Sequence, residues 1–171
     1  MKNRLFAASL VLLVLPATIL AQSKDPLVGT WKLVSATDTT DKGTTKEAFG
    51  KDPVGFLTYT PDGRMSAIIA FGGRKSLSVS DYIAAPAQER AEAFSTFSAY
   101  AGSYKHTGNT VVHHVEVAAL QNRVNTDLTR TIVKLDQNHL ILRTPPYLKG
   151  GIAVNTELVW ERLTNGETPS R

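Results

Sequence analysis

The 171-residue chain contains no cysteine. That absence excludes a disulfide scaffold, thiolate catalysis, Cys-ligated zinc or iron-sulfur centres, and a lipid-modified cysteine anchor. Long apolar runs are scarce as well. The only one of any length, Leu5 to Leu20, spans 16 residues and contains Pro16, short of the roughly 20 that a membrane-spanning helix needs. Lys2 and Arg4 precede it, and Ala17-Thr18-Ile19-Leu20-Ala21-Gln22 follows Pro16. Charged, apolar and small-residue regions in that order read as an export signal, with cleavage expected after Ala21. The expected product is periplasmic or secreted, with no stable membrane anchor once residues 1–21 are removed.

A strong charge of either sign is also missing. The formal net charge is +4, and without residues 1–21 it falls to +2, from 17 basic and 15 acidic residues. No basic cluster survives to make a phosphate footprint, which argues against nucleic acid as a partner. The apolar fraction drops in the same way, from 42% to 38%. What remains is globular in composition and long enough to bury about two thirds of its unfolded surface in one core. We expect a single domain over 22–171, with its core at about 27–163.

From Asp25 onward, short segments rich in β-branched and aromatic residues alternate with Gly, Pro, Asn and Asp clusters, the spacing of an all-β domain. Eight strands are expected: Gly29 to Thr37, Gly55 to Thr60, Arg64 to Phe71, Ala99 to Lys105, Thr110 to Ala118, Asp127 to Leu135, His139 to Arg143 and Val154 to Leu163. Pro61-Asp62-Gly63, Gly108-Asn109 and Asp136-Gln137-Asn138 supply hairpin turns, so neighbouring strands pair antiparallel. Asp38 to Pro53 reads as a long polar loop and Thr164 to Arg171 as a frayed tail. One segment has a different period. Between Pro86 and Ser98, the residues Ala87, Ala91, Phe94 and Phe97 recur at helical spacing opposite Gln88, Glu89, Arg90 and Glu92, predicting an inserted amphipathic helix that needs a surface to cover. Eight antiparallel strands remove their edges most simply by closing into a barrel, whose interior is filled by side chains or holds one small ligand.

Five segments carry a resemblance. Leu27 to Ser35, Gly55 to Ser66, Tyr100 to Tyr104, Val112 to Val117 and Leu158 to Leu163 resemble, in order, the bacterial and fungal lipocalin-like domain family. The resemblance implies a calycin-type β-barrel with a cavity of small-molecule size. It also implies that Gly29, Trp31 and Arg162 close the barrel base, the guanidinium stacking on the indole. A shared ligand is not implied, because barrels of this kind host unrelated functions. The chain departs from true lipocalins in lacking a disulfide and in its inserted helix.

Strand alternation nominates an interior site. Val111, His113, Val115 and Val117 share one face of their strand, which we expect to look inward, with His114 pointing away. A two-residue turn at Gly108-Asn109 would pair Thr107 with Thr110, Tyr104 with His113, Gly102 with Val115 and Tyr100 with Val117, so that Tyr100 and Tyr104 join His113 inside. Leu128, Arg130 and Ile132 share a face, yet Val133 and Leu135 occupy the other, which leaves the direction of Arg130 open. Inside, its guanidinium would bind a carboxylate, phosphate or enolate oxygen. Alternatively, His113 and Tyr104 satisfy each other in a packed core and Arg130 lies on the surface.

Other chemistries lack support. Glu116 with His114 offers two metal ligands on one face, too few for zinc, and His106 and His139 have no spacing that recruits them. No Gly-x-Ser-x-Gly, Gly-x-Gly-x-x-Gly or Walker pattern occurs. No metal or cofactor is expected. Three readings stand: an exported barrel that binds a small, largely apolar molecule through Tyr104, His113, Arg130 and Tyr100; an isomerase or cyclase using the same groups for acid-base work; and a structural or interaction domain with a filled barrel.

Overall fold

The computed structural model describes residues 25–164; the expected export signal and most of the C-terminal tail lie outside them. Ten strands, β1 (Gly29–Thr40), β2 (Thr45–Glu47), β3 (Val54–Tyr59), β4 (Arg64–Ala70), β5 (Phe97–Thr107), β6 (Thr110–Ala118), β7 (Asp127–Leu135), β8 (His139–Arg143), β9 (Tyr147–Lys149) and β10 (Ile152–Arg162), form one antiparallel sheet. Eight of them close into a barrel in the order β1-β3-β4-β5-β6-β7-β8-β10, and β10 returns to β1 with pairs running from Trp31↔Arg162 to Thr40↔Val154. All eight expected strands are present. β2 and β9 are short additions, β2 along the far half of β1 and β9 along the start of β10.

Alternation sorts each wall into an inner and an outer face. Gly55, Leu57 and Tyr59 of β3 and Met65, Ala67 and Ile69 of β4 are buried, while the residues between them keep some exposure. Apart from Gly55, they pack with Trp31, Leu33, Leu140, Leu142, Leu158 and Trp160 into one core. Two hairpin turns rest on glycine in the left-handed region, Gly63 at φ 80° and Gly108 at φ 59°, as expected where a tight turn needs positive φ.

The end of the barrel at Trp31 is closed. Residues 25–28 turn across it, bringing in Leu27, which has no exposed surface. The Trp31 indole N–H donates to Leu27 O at 2.9 Å. Over the ring sits the Arg162 guanidinium, 3.9 Å from its centre, which donates to Val28 O, Pro26 O and Gln137 O at 2.7, 2.6 and 2.6 Å. Gly29, at φ 143°, leaves the space that this guanidinium occupies; a Cβ there would collide with it.

The other end is held differently. The stretch Asp38 to Pro53 is not simply a loop: β1 continues through Thr40 and β2 pairs back onto it. Asp38 is only 1% exposed, a charge inside the barrel rim. Lys149 Nζ donates to its Oδ2 at 2.7 Å and Thr156 Oγ1 to its Oδ1 at 2.7 Å. Such partners are what make a buried carboxylate tolerable.

The predicted helix is shorter and less anchored than its pattern suggests. α1 runs Ala87–Ser95, buries no residue, and leaves Phe94 53% exposed; Phe97 already belongs to β5. Rather than covering the sheet, α1 is tied to the preceding connection through Glu89, whose carboxylate accepts from Ser78 N and Oγ at 2.8 and 3.0 Å. Its apolar period is too short a stripe to outweigh the strand preference that begins at Phe97.

Two changes test this frame. Gly102 faces the strand crossing where β6 bulges, and a Cβ there would drive into the His114 carbonyl oxygen. Gly102→Ala should therefore cost about 3 kcal/mol of stability, read as a lowered urea midpoint. Arg162→Met removes three charge-assisted hydrogen bonds and the indole contact, and should cost about 3 kcal/mol in the same measurement.

Candidate functional site

The inner face of β6 carries Val111, His113 and Val115, none more than 1% exposed. Pairing with β5 follows the expected register near the turn: Thr107↔Thr110, Tyr104↔His113 and Gly102↔Val115. Beyond Gly102 it does not. Glu116 is an extra residue, so Ala101 faces Val117 and Tyr100 faces Ala118 rather than Val117. The bulge turns Val117 outward, 63% exposed, against the expectation that it looks inside. Only glycine at 102 lets the bulged backbone come so close.

His113 holds the centre of a polar cluster. Its Nε2 lies 2.7 Å from the Tyr59 hydroxyl and its Nδ1 3.0 Å from the Tyr100 hydroxyl. Tyr104, opposite His113 in the register, does not satisfy it. The Tyr104 phenol instead donates to Thr60 O at 3.3 Å and packs edge-on to Tyr59, ring centres 4.7 Å apart. A sequence reading that stops at strand neighbours misses Tyr59, which comes from β3, three strands away, and meets His113 across the curved interior. Its place at the inward end of the alternation Leu57, Tyr59 was the available signal.

Burial decides the protonation of this cluster. Loss of solvent, and then the nearby charge of Arg130, push His113 down to about 3, so it is a neutral imidazole at neutral pH. A neutral ring has one N–H and one bare nitrogen, so one phenol accepts from it and the other donates to it. Burial also raises the Tyr59 phenol well above its ordinary value, and burial followed by the Asp25 carboxylate pushes Tyr104 up to about 12. All three are uncharged across the physiological range.

Arg130 faces inward. It pairs with Val111, which has no exposed surface, and directly opposed residues share a face. An extra residue in β7, Val133, accounts for the mixed alternation: Leu128, Arg130, Ile132 and Leu135 turn in and Val133 turns out, 44% exposed. Leu128, Arg130 and Ile132 keep partial exposure, unlike the inner faces of β3 and β4.

The weaker candidates have their own partners, His114, Glu116 and His139 on the outside and His106 on the inner face, opposite buried Val111. Glu116 is held by Arg64 in a bidentate pair at 2.6 and 2.7 Å, and His114 by Asp127 at 2.8 Å. His106 bonds Asp25 at 2.9 Å and His139 bonds Asp136 at 3.1 Å. Among the described residues, no group of three metal-ligating side chains converges.

The buried imidazole makes stability depend on pH. Its folded value is depressed, so as pH falls below about 6.5 the unfolded chain takes up a proton that the folded chain refuses. Stability should fall by about 1.4 kcal/mol per pH unit between about pH 6 and pH 3 relative to His113→Gln, which cannot titrate. Urea titrations of the two proteins at stepped pH measure that difference.

Several solved structures share a partial likeness with this chain at low identity. A solved lipocalin-like protein from Bacteroides uniformis superposes with a TM-score of 0.44 at 16% identity, covering 81% of this chain and 100% of that one. A Bacteroides eggerthii protein gives 0.42 at 13% identity, with 80% and 99% covered. Bovine odorant binding protein, solved with a selenium-containing odorant, gives 0.43 at 15% identity, with 84% and 74% covered. Among curated proteins, none matches significantly. The sequence model of the lipocalin-like domain matches residues 28–163, from the strand of Trp31 through that of Arg162. The chain belongs to the lipocalin-like domain family.

Proposed function

We propose that the protein is exported and binds one small, largely apolar molecule inside the barrel, oriented by a few polar groups. The observation that carries this reading is the make-up of the inner wall. Aliphatic and aromatic side chains dominate it, and the polar groups Tyr100, Tyr104, His113 and Arg130 fall together on β5, β6 and β7. Apolar walls with a few convergent polar groups are the usual form of a small-molecule site. Binding is favoured over acid-base catalysis because both His113 nitrogens are engaged and the ring resists protonation until about pH 3. A general base works best with a value near the operating pH.

Native mass spectrometry of the protein purified from its own periplasm tests the reading. One bound molecule of small mass, released on unfolding, is the expected result. Tyr100→Phe, which keeps the ring and removes the hydroxyl, should weaken binding of that molecule about tenfold by calorimetry. A bare chain that also takes up no apolar probe would sink the proposal, and turnover lost in His113→Ala with binding intact would replace it with an enzyme.

A further inference from the structure

We propose that the molecule bound in this barrel is an acid: an apolar body bearing one anionic oxygen group, of carboxylate type, that pairs with the Arg130 guanidinium. The inference rests on the binding reading above and goes beyond it by fixing the charge of the ligand. Arg130 projects from the inner face of β7 between two apolar neighbours, Leu128 and Ile132, and opposite buried Val111. Its charge reaches the interior cluster, lowering both His113 and Tyr59. Those partners are neutral and carry no compensating charge.

Three other charged side chains at the ends of the barrel are already engaged among the described residues. Asp38 is paired with Lys149. Arg162 is spent on three backbone carbonyls and the Trp31 ring. Asp25, the carboxylate felt by Tyr59 and Tyr104, accepts from Leu27 N at 2.9 Å and is bonded to His106. Arg130 has only Thr129 O, at 2.8 Å, on its own strand, and none of the ion pairs among the described residues includes it. With no anion paired to it among the described residues, the remaining donors of the guanidinium are open to a ligand. A planar five-donor fork is also the side chain best shaped to meet a carboxylate with two parallel bonds.

A second donor points the same way. Trp160 is 2% exposed on the inner side of β10, and its indole N–H has no acceptor among the described residues. Buried donors are seldom left unpaired. Among the described residues, a guanidinium without an ion-pair partner and an unpaired indole N–H, both on inner faces, call for acceptor oxygens.

The test uses matched pairs that share a tail and differ in head group, decanoate with decanol and naphthylacetate with naphthylethanol, titrated into the purified protein at neutral pH by calorimetry. At least one acid should bind about tenfold or more tightly than its alcohol, the gap a charge-assisted pair provides. That gap should vanish in Arg130→Met and survive in part in Arg130→Lys, which keeps the charge without the fork. Circular dichroism of both variants establishes that the barrel is intact; should Arg130→Met fail to fold, the comparison of wild type with Arg130→Lys still decides. Equal affinity for acid and alcohol, or a gap that persists in Arg130→Met, overturns the acidic ligand and leaves the binding reading standing. Uptake of neither member of either pair overturns both.

Discussion

The pairing of β10 with β1 is the constraint on which the rest of the structure depends. Until those two strands meet, the sheet has two open edges and no inside. Once they meet, alternation alone decides which residues face an interior and which face solvent. With no cysteine to staple the chain, closure is held by backbone hydrogen bonds and by the contacts around Trp31 and Arg162, where an arginine covers an indole and ties down three carbonyls from two separate segments. The same guanidinium dictates a glycine at position 29.

Closure also sets the chemistry of the interior. A histidine sealed among phenols gives up its proton because the charged form has lost its solvent, and it then serves as a hinge of hydrogen bonds between β3 and β5. Arg130, on the inner face of β7, keeps partial exposure. One surrounding thus produces two outcomes, a titratable group held neutral and a permanent cation held at the margin.

The strands were legible in the residues because each barrel wall separates core from solvent with period two, and because Pro61-Asp62-Gly63 and Gly108-Asn109 admit few other conformations. Three features were not. β2 and β9 are three residues each, too short to show a period, and β2 is exposed throughout. The bulges at Glu116 and Val133 shift a register by one residue and turn Val117 and Val133 outward although both look like core. Nothing in a local window marks them except Gly102 on the partner strand. The third is long-range: Tyr59 meets His113, and Asp38 meets Lys149, across 54 and 111 positions. For Asp38, the sequence pattern of a polar loop concealed a buried ion pair.

The two ends of the barrel are secured by different physics. Around Trp31, a cation is held by neutral carbonyls and an aromatic face, contacts on which dissolved ions have little hold. At the opposite rim the fastening is a full ion pair, Asp38 with a lysine that is about one third exposed and rides on the three-residue strand β9. Burial of Asp38 shields that pair from salt, but short, exposed strands cost least to detach. The molecule is therefore asymmetric in its fastening: local opening costs least at the rim of β2 and β9 and most at the end sealed by Trp31 and Arg162.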